Sequence, residues 1–182
     1  MTTALTTPHL ALSRMHAPTL HTLRDAVAAN VERMRTATES RIMAVVKADG
    51  YGLGAVAVAL AAIDAGAEWL GVTDAGDAAE LRDAGIEVPI LAWLNPAGVD
   101  VTQVVADRVD IAVGSVDELR QLITDASSLP DGRVRVHLHM DTGMSRGGVP
   151  LEDWAELLRV ARSGRGRVEV VGVMGHLSLI HI

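Results

Sequence analysis

Residues 41–66 read RIMAVVKADGYGLGAVAVALAAIDAG. An apolar run, Ile42 to Val46, stops at Lys47; Gly50, Tyr51, Gly52 and Gly54 follow, and then an Ala/Val-rich stretch that reads as a helix over 55–65. Strand, turn and helix in that order make one βα unit. In a parallel sheet, ligands bind at the carboxyl ends of the strands. Lys47 therefore stands where chemistry is done. A strand-end lysine can also simply snorkel along the sheet, but its neighbours favour a ligand. The glycines allow a tight turn and close approach of the backbone. Tyr51 offers a hydroxyl to a phosphate, and the helix starting near Gly54 adds free N–H groups and a positive dipole end. A partly desolvated lysine amine can lose its proton and attack a carbonyl.

The same unit repeats outward along the chain. Short apolar segments at 42–46, 69–72, 90–93, 110–113, 134–140 and 168–174 read as strands. Helix patterns lie near 55–65, 75–84, 98–106, 116–126 and 151–162, the last with Leu151, Trp154, Leu157, Leu158 and Ala161 on one side. An N-terminal helix shows Leu20, Leu23, Val27, Val31 and Met34 at helical spacing, with Thr19 as a cap. Strands that are mostly apolar throughout suit a parallel sheet covered on both faces. The expected class is α/β: an incomplete (β/α)8 TIM-type barrel of about six of eight units, with an open doubly wound sheet as the alternative. The pattern ends at GVMGHLSLIHI, in or just after the sixth strand. One domain, 1–182, cut short at its C-terminal side, is the expectation.

Composition narrows the function. A net charge of −7 offers no electrostatic case for nucleic acid or an anionic membrane. There is no cysteine, hence no disulfide, thiolate metal site or thiol nucleophile. No apolar run has transmembrane length and no signal peptide pattern opens the chain, so the cytoplasm is the expected location.

Rival motifs compete for the same residues. Gly50-Tyr-Gly52-Leu-Gly54-Ala55, with Asp74 further on, approaches the dinucleotide fingerprint. There, however, the first glycine follows the strand directly, whereas Lys47, Ala48 and Asp49 intervene here, and Tyr51 would crowd the turn. Arg135, His137, His139 and Asp141 alternate on one strand and share a face, a polar barrel interior opposite Val136, Leu138 and Met140. His-x-His-x-Asp has the character of a metal set, but no further ligand cluster accompanies it. Asp141-Thr-Gly matches the aspartic protease triplet by chance, since that motif needs an all-β setting.

AVVKADGYGLG resembles the pyridoxal-phosphate attachment motif of the alanine racemase family: strand, Lys-Ala-(Asp/Asn)-(Gly/Ala)-Tyr-Gly. HMDTGMSRGGV, residues 139–149, is similar to that family's segment after the fifth barrel strand, and VVGVMGH to its sixth strand. Three motifs in family order, over about residues 20–178, outweigh the dinucleotide reading. Leu53 departs from the usual histidine, and His139 stands where many members carry a lysine, often carbamylated, that orients the arginine.

The resemblance implies a barrel carrying pyridoxal 5'-phosphate and a further C-terminal domain. It implies that Lys47 holds the cofactor and acts as base on one face of the substrate, and that Tyr51 binds the phosphate. Arg146 would lie near the cofactor's phenolic oxygen and the substrate carboxylate, Met144 would lend backbone to the substrate site, and His176 would pack on the pyridine ring. Trp93 is a wall candidate by position, though an ordinary core aromatic is the simpler expectation. The implied reaction is racemisation of L-alanine to D-alanine for peptidoglycan precursors, in a homodimer. The second base is a tyrosine of the partner subunit's C-terminal domain; Tyr51 is the only tyrosine here. This chain alone is thus expected to be inactive. The alternative is a barrel that carries pyridoxal phosphate without turnover.

Overall fold

The structure, a computed structural model, describes residues 21–130 and 132–177. Helix α1 (Arg24–Ala37) leads into β1 (Met43–Val45) and a helical turn, α2 (Lys47–Gly52). Four units follow: α3 (Ala55–Asp64) with β2 (Trp69–Val72), α4 (Ala75–Asp83) with β3 (Ile90–Ala92), α5 (Val101–Ala106) with β4 (Val109–Val113), and α6 (Val116–Asp125) with β5 (Val134–Met140). Helix α7 (Trp154–Ser163) and β6 (Val168–Gly175) complete the described chain. All neighbours pair in parallel and the strand order is the chain order, β1 to β6. A doubly wound sheet reverses its order at a switch point; an unreversed order is a barrel wall.

The wall curls. In a flat sheet, with strands about 4.8 Å apart, β2 and β5 would lie roughly 14 Å from each other. Yet the inward rings of Trp69 and His137 meet edge to face, with centroids 5.8 Å apart. Gly172 helps, because a Cβ there would strike the His137 ring, and the β5–β6 register slips between Val136 and His137.

The core fills the space between sheet and helices. Leu70, Ile90, Ile111, Val136 and Leu138 project outward onto Leu81, Leu119 and Leu157, all sealed from solvent. Three helices begin where a polar side chain accepts their free N–H groups. Asp74 accepts from Gly76 and Asp77, Asp100 from Thr102 and Gln103, and Ser115 from Glu118. At the amino ends of the strands, Arg82 donates to the carbonyls of Ile86, Val88, Asp107 and Arg108, pinning the approaches to β3 and β4.

Some expectations shift. The helix expected from 98 begins at Val101, because Asp100 caps it. The helix expected from 151 begins at Trp154 after a 3-10 turn, which leaves Leu151 76% exposed; Leu158 is exposed too. On α1 only Val31 is buried, against Ala62 and Ala67, while Leu23 and Met34 of the same stripe face solvent. Leu23 occupies the cap position without a side-chain hydrogen bond; Thr19 and Leu20 lie outside the described residues, as do residues 178–182. The edge strands are not covered on both faces: Val45 of β1 is 37% exposed and Val173 of β6 63%.

Candidate active site

Directly after β1 the backbone changes hand. Ala48, Asp49, Gly50 and Tyr51 all have φ between 52° and 61°, one turn of left-handed helix. Such a turn costs roughly 1–2 kcal/mol for each non-glycine residue, so the surroundings must impose it. Val46 N–H donates to Gly71 O at 2.8 Å, fastening the turn to β2, and Gly50 N–H donates to Val46 O at 2.9 Å. Gly50 is buried against Ala55 and Val58, where a Cβ would be tight. Asp49 closes the far side: its carbonyl accepts from Gly54 N–H at 2.9 Å and its Oδ1 from Ala55 N–H at 2.8 Å. The turn leaves Lys47 half-buried and Tyr51 exposed on one cleft, with Nζ 6.0 Å from the centre of the phenol ring.

The cleft, about 800 Å3, opens at the carboxyl ends of the strands. Lys47 and Tyr51 line it from the β1 side, Trp93 from β3, and Met144, Arg146 and His176 from the β5 and β6 sides. All five residues singled out for cofactor or substrate thus face one space. Trp93 is a wall residue rather than a core aromatic, since its ring lies over Gly71, where a Cβ would collide with it.

The 141–149 loop is self-bracing. Asp141 Oδ1 accepts from the Gly143 and Ser145 N–H groups at 2.9 Å each, and these bonds hold its carboxyl below the usual range. Val149 returns to the strand end, donating to His139 O and accepting from Asp141 N–H. Thr142 Oγ1 donates to His176 O at 2.9 Å, and Gly175 leaves space for the Thr142 methyl group. Arg146 Nη2 then reaches His176 Nε2 at 3.5 Å. The third sequence motif therefore meets the second through side chains.

His139 lies behind this pair. Its Nε2 is buried with no hydrogen-bond partner among the described residues. Burial, and next the neighbouring His176, pull the His139 imidazolium below its ordinary range, partly opposed by Asp141. Among the described residues no three His, Asp or Glu side chains are grouped to hold a metal ion.

Deeper on the inward face lies a group that the sequence reading passed over. Asp110, 2% exposed, accepts from Arg135 Nε at 2.6 Å and Nη2 at 3.2 Å, and from His137 Nε2 at 3.0 Å. Burial alone would raise its carboxyl; the hydrogen bonds from His137 and Arg135, with their charges, outweigh it and hold the group low. The only sequence signal was a carboxylate starting an otherwise apolar strand. Its partners are set by the β4–β5 register, Ile111 to Val136 and Ala112 to His137.

Known proteins share this fold. The alanine racemase of Salinispora tropica is 45% identical over 154 residues, 84% of this chain and 41% of that protein. The crystal structure of alanine racemase from D-cycloserine producing Streptomyces lavendulae superposes with a TM-score of 0.80 at 39% identity, over 86% of this chain and 41% of that one. The alanine racemase of Bacillus anthracis gives 0.77 at 28% identity, over 85% and 40%. The chain spans about two-fifths of the length of each. A family model described as "Alanine racemase, N-terminal domain" matches residues 23–181, a span holding the left-handed lysine turn, the braced loop and β6, and on that match the chain belongs to the alanine racemase family.

Proposed function

We propose that these residues form the cofactor-lysine part of the barrel of a pyridoxal-phosphate-dependent alanine racemase acting in the cytoplasm. What carries the reading is the meeting of Lys47, Tyr51, Arg146 and His176 in one cleft. The cleft is roomy enough for a cofactor-sized ligand with a small amino acid. Its donors also suit that group: an amine for an aldehyde, a phenol for a phosphate, a guanidinium for a carboxylate. The Bacillus anthracis structure is described with bound L-Ala-P, which favours an alanine-sized substrate.

When bound, pyridoxal phosphate draws electron density from an attached amino acid and makes its Cα–H acidic. Lys47 would hold the cofactor through its aldehyde and would move the Cα proton on one face of the substrate. Tyr51 would hold the phosphate. Arg146, aligned by His176 and through it by Thr142, pairs with the substrate carboxylate. Met144, His176 and Trp93 line the cleft; Met144 would border the substrate and His176 would pack on the pyridine ring, with Trp93 as the wall from β3. Racemisation needs a second proton carrier on the opposite face. The resemblance gives that role to a tyrosine of the partner subunit's C-terminal domain, and Tyr51, the sole tyrosine here, is assigned to phosphate; on this reading the carrier is supplied by the partner in a homodimer.

The test is borohydride reduction of the chain with pyridoxal phosphate, followed by peptide mapping. Lys47 is the only lysine of the chain, so the competing amine is the N-terminus. Label should fall on Lys47 in the folded chain, drop when the chain is unfolded in urea, and vanish in Lys47→Ala; label confined to the N-terminus, or equal labelling of Lys47 in urea, sinks the reading. A chiral assay of L-to-D alanine conversion should find no turnover by residues 1–182, and appreciable turnover would place the second base within them.

A further inference from the structure

Lys47 and Tyr51 act as a pair only if the chain between them keeps its unusual hand. Three of the four left-handed residues, Ala48, Asp49 and Tyr51, are not glycine. Aspartate is among the few side chains that enter this region readily. Asp49 also does more than tolerate it. Helix α3 starts at Ala55 with Gly54 in the cap position, and Gly54 has no side chain to cap it. The acceptor comes instead from Asp49, whose Oδ1 takes the Ala55 N–H while its carbonyl takes the Gly54 N–H. One residue thus ties the far end of the left-handed turn to the start of α3, and places a negative charge at the positive end of that helix. Gly50 N–H, bonded to Val46, ties the near end to the sheet.

We infer that Asp49 is a positioning residue for phosphate recognition: its carboxylate, by capping α3 across the left-handed turn, sets where Tyr51 stands relative to Lys47. The inference rests on the cofactor reading above and names a residue that touches neither aldehyde nor phosphate. Its signature is selectivity. Pyridoxal, which lacks the phosphate, needs Lys47 alone, whereas pyridoxal phosphate needs Lys47 and Tyr51 in register. A misplaced Tyr51 erodes the preference for pyridoxal phosphate over pyridoxal.

The experiment measures binding of both compounds to the 182-residue chain by visible absorbance, for wild type, Asp49→Asn, Asp49→Gly and Lys47→Ala. Asp49→Gly is the informative change. Glycine is at ease in the left-handed region and keeps the backbone carbonyl, so only the carboxylate is lost and folding is retained, as thermal denaturation will check. Asp49→Gly should lower the pyridoxal phosphate to pyridoxal affinity ratio about tenfold, the loss of roughly one charge-assisted hydrogen bond's worth of positioning. Asp49→Asn, which keeps an acceptor oxygen, should hold the ratio within about threefold of wild type, as the weaker acceptor of the pair. A folded Asp49→Gly chain with an unchanged ratio overturns the inference, even if its melting temperature falls. Should Asp49→Gly fail to fold, an Asp49→Asn ratio collapsed more than tenfold overturns it. If Lys47→Ala binds both compounds as wild type does, the cofactor reading fails, a result separate from either outcome at Asp49.

Discussion

On the face turned to the helices, Leu70, Ile90, Ile111 and Leu138 lie in neighbouring strands and are sealed by Leu81, Leu119 and Leu157. On the inward face the same strands present Trp69, Gly71, Leu91, Asp110, His137 and His139, and the cleft opens above them. The outer face has apolar atoms everywhere and uses shape alone. The inner face alternates large rings with glycines and buries a carboxylate that needs two donors. One backbone thus keeps stability on one side and holds reactive groups on the other. The division is sharpest in β3 and β4, buried throughout, and weakest in the edge strands β1 and β6.

If the division is real, substitutions on the two faces should fail differently. The largest effect should come from the outer face. Ile111→Ala leaves a void in a close-packed layer and should cost about 2–5 kcal/mol in chemical denaturation, with no change in how fully borohydride labels Lys47, the chain's only lysine, in the folded fraction. Gly71→Ala tests the inner face. The new methyl group collides with the Trp93 ring, and overpacking of this kind costs about 1–3 kcal/mol. Unlike the first change, it should alter tryptophan fluorescence and cofactor binding together.

Asp110 gives a pH-dependent test. Its folded carboxyl lies below the ordinary aspartate value of 3.8. The stability it contributes is therefore fully present above that value and is lost as pH falls from there through the lower folded value. Asp110→Asn should flatten that acid limb and cost about 1.5–3 kcal/mol at neutral pH, the usual worth of hydrogen bonds to a charged group. An unchanged acid limb would show that the inner-face carboxylate is not linked to folding. The smallest effect on stability should be at the cleft mouth. Tyr51 is 63% exposed, so Tyr51→Phe should move the denaturation midpoint by no more than about 0.5 kcal/mol while weakening retention of pyridoxal phosphate. A large loss of stability there would mean that the left-handed turn leans on the phenol.

Much of this was legible in the residues. The spans 69–72 and 134–140 match β2 and β5 to the residue, because apolar runs and period-two alternation are local signals. The alternation of Arg135, His137 and His139 against Val136 and Leu138 identified the two faces of β5 before any coordinates, and Lys47 at the end of β1 followed from the βα order. Helix stripes were less dependable. Leu23, Met34 and Leu151 carry the right spacing yet face solvent, since spacing says which residues share a side and not whether anything covers it.

Other features were decided only by tertiary structure. The left-handed turn is one: nothing in Ala48-Asp49-Gly50-Tyr51 dictates a positive φ at four successive positions, and the sheet at Gly71 and the start of α3 impose it from outside. The Asp110 group is another, because a carboxylate in β4 finds its arginine and histidine through the β4–β5 register, which no single strand encodes. The room for Trp93 and His137 is a third, made by glycines one strand or more away, at Gly71 and Gly172. Local sequence determined the elements, their order and the residue types at the strand ends. Curvature, register and backbone hand depend on contacts between segments far apart in the chain, and those contacts set how the site residues face one another.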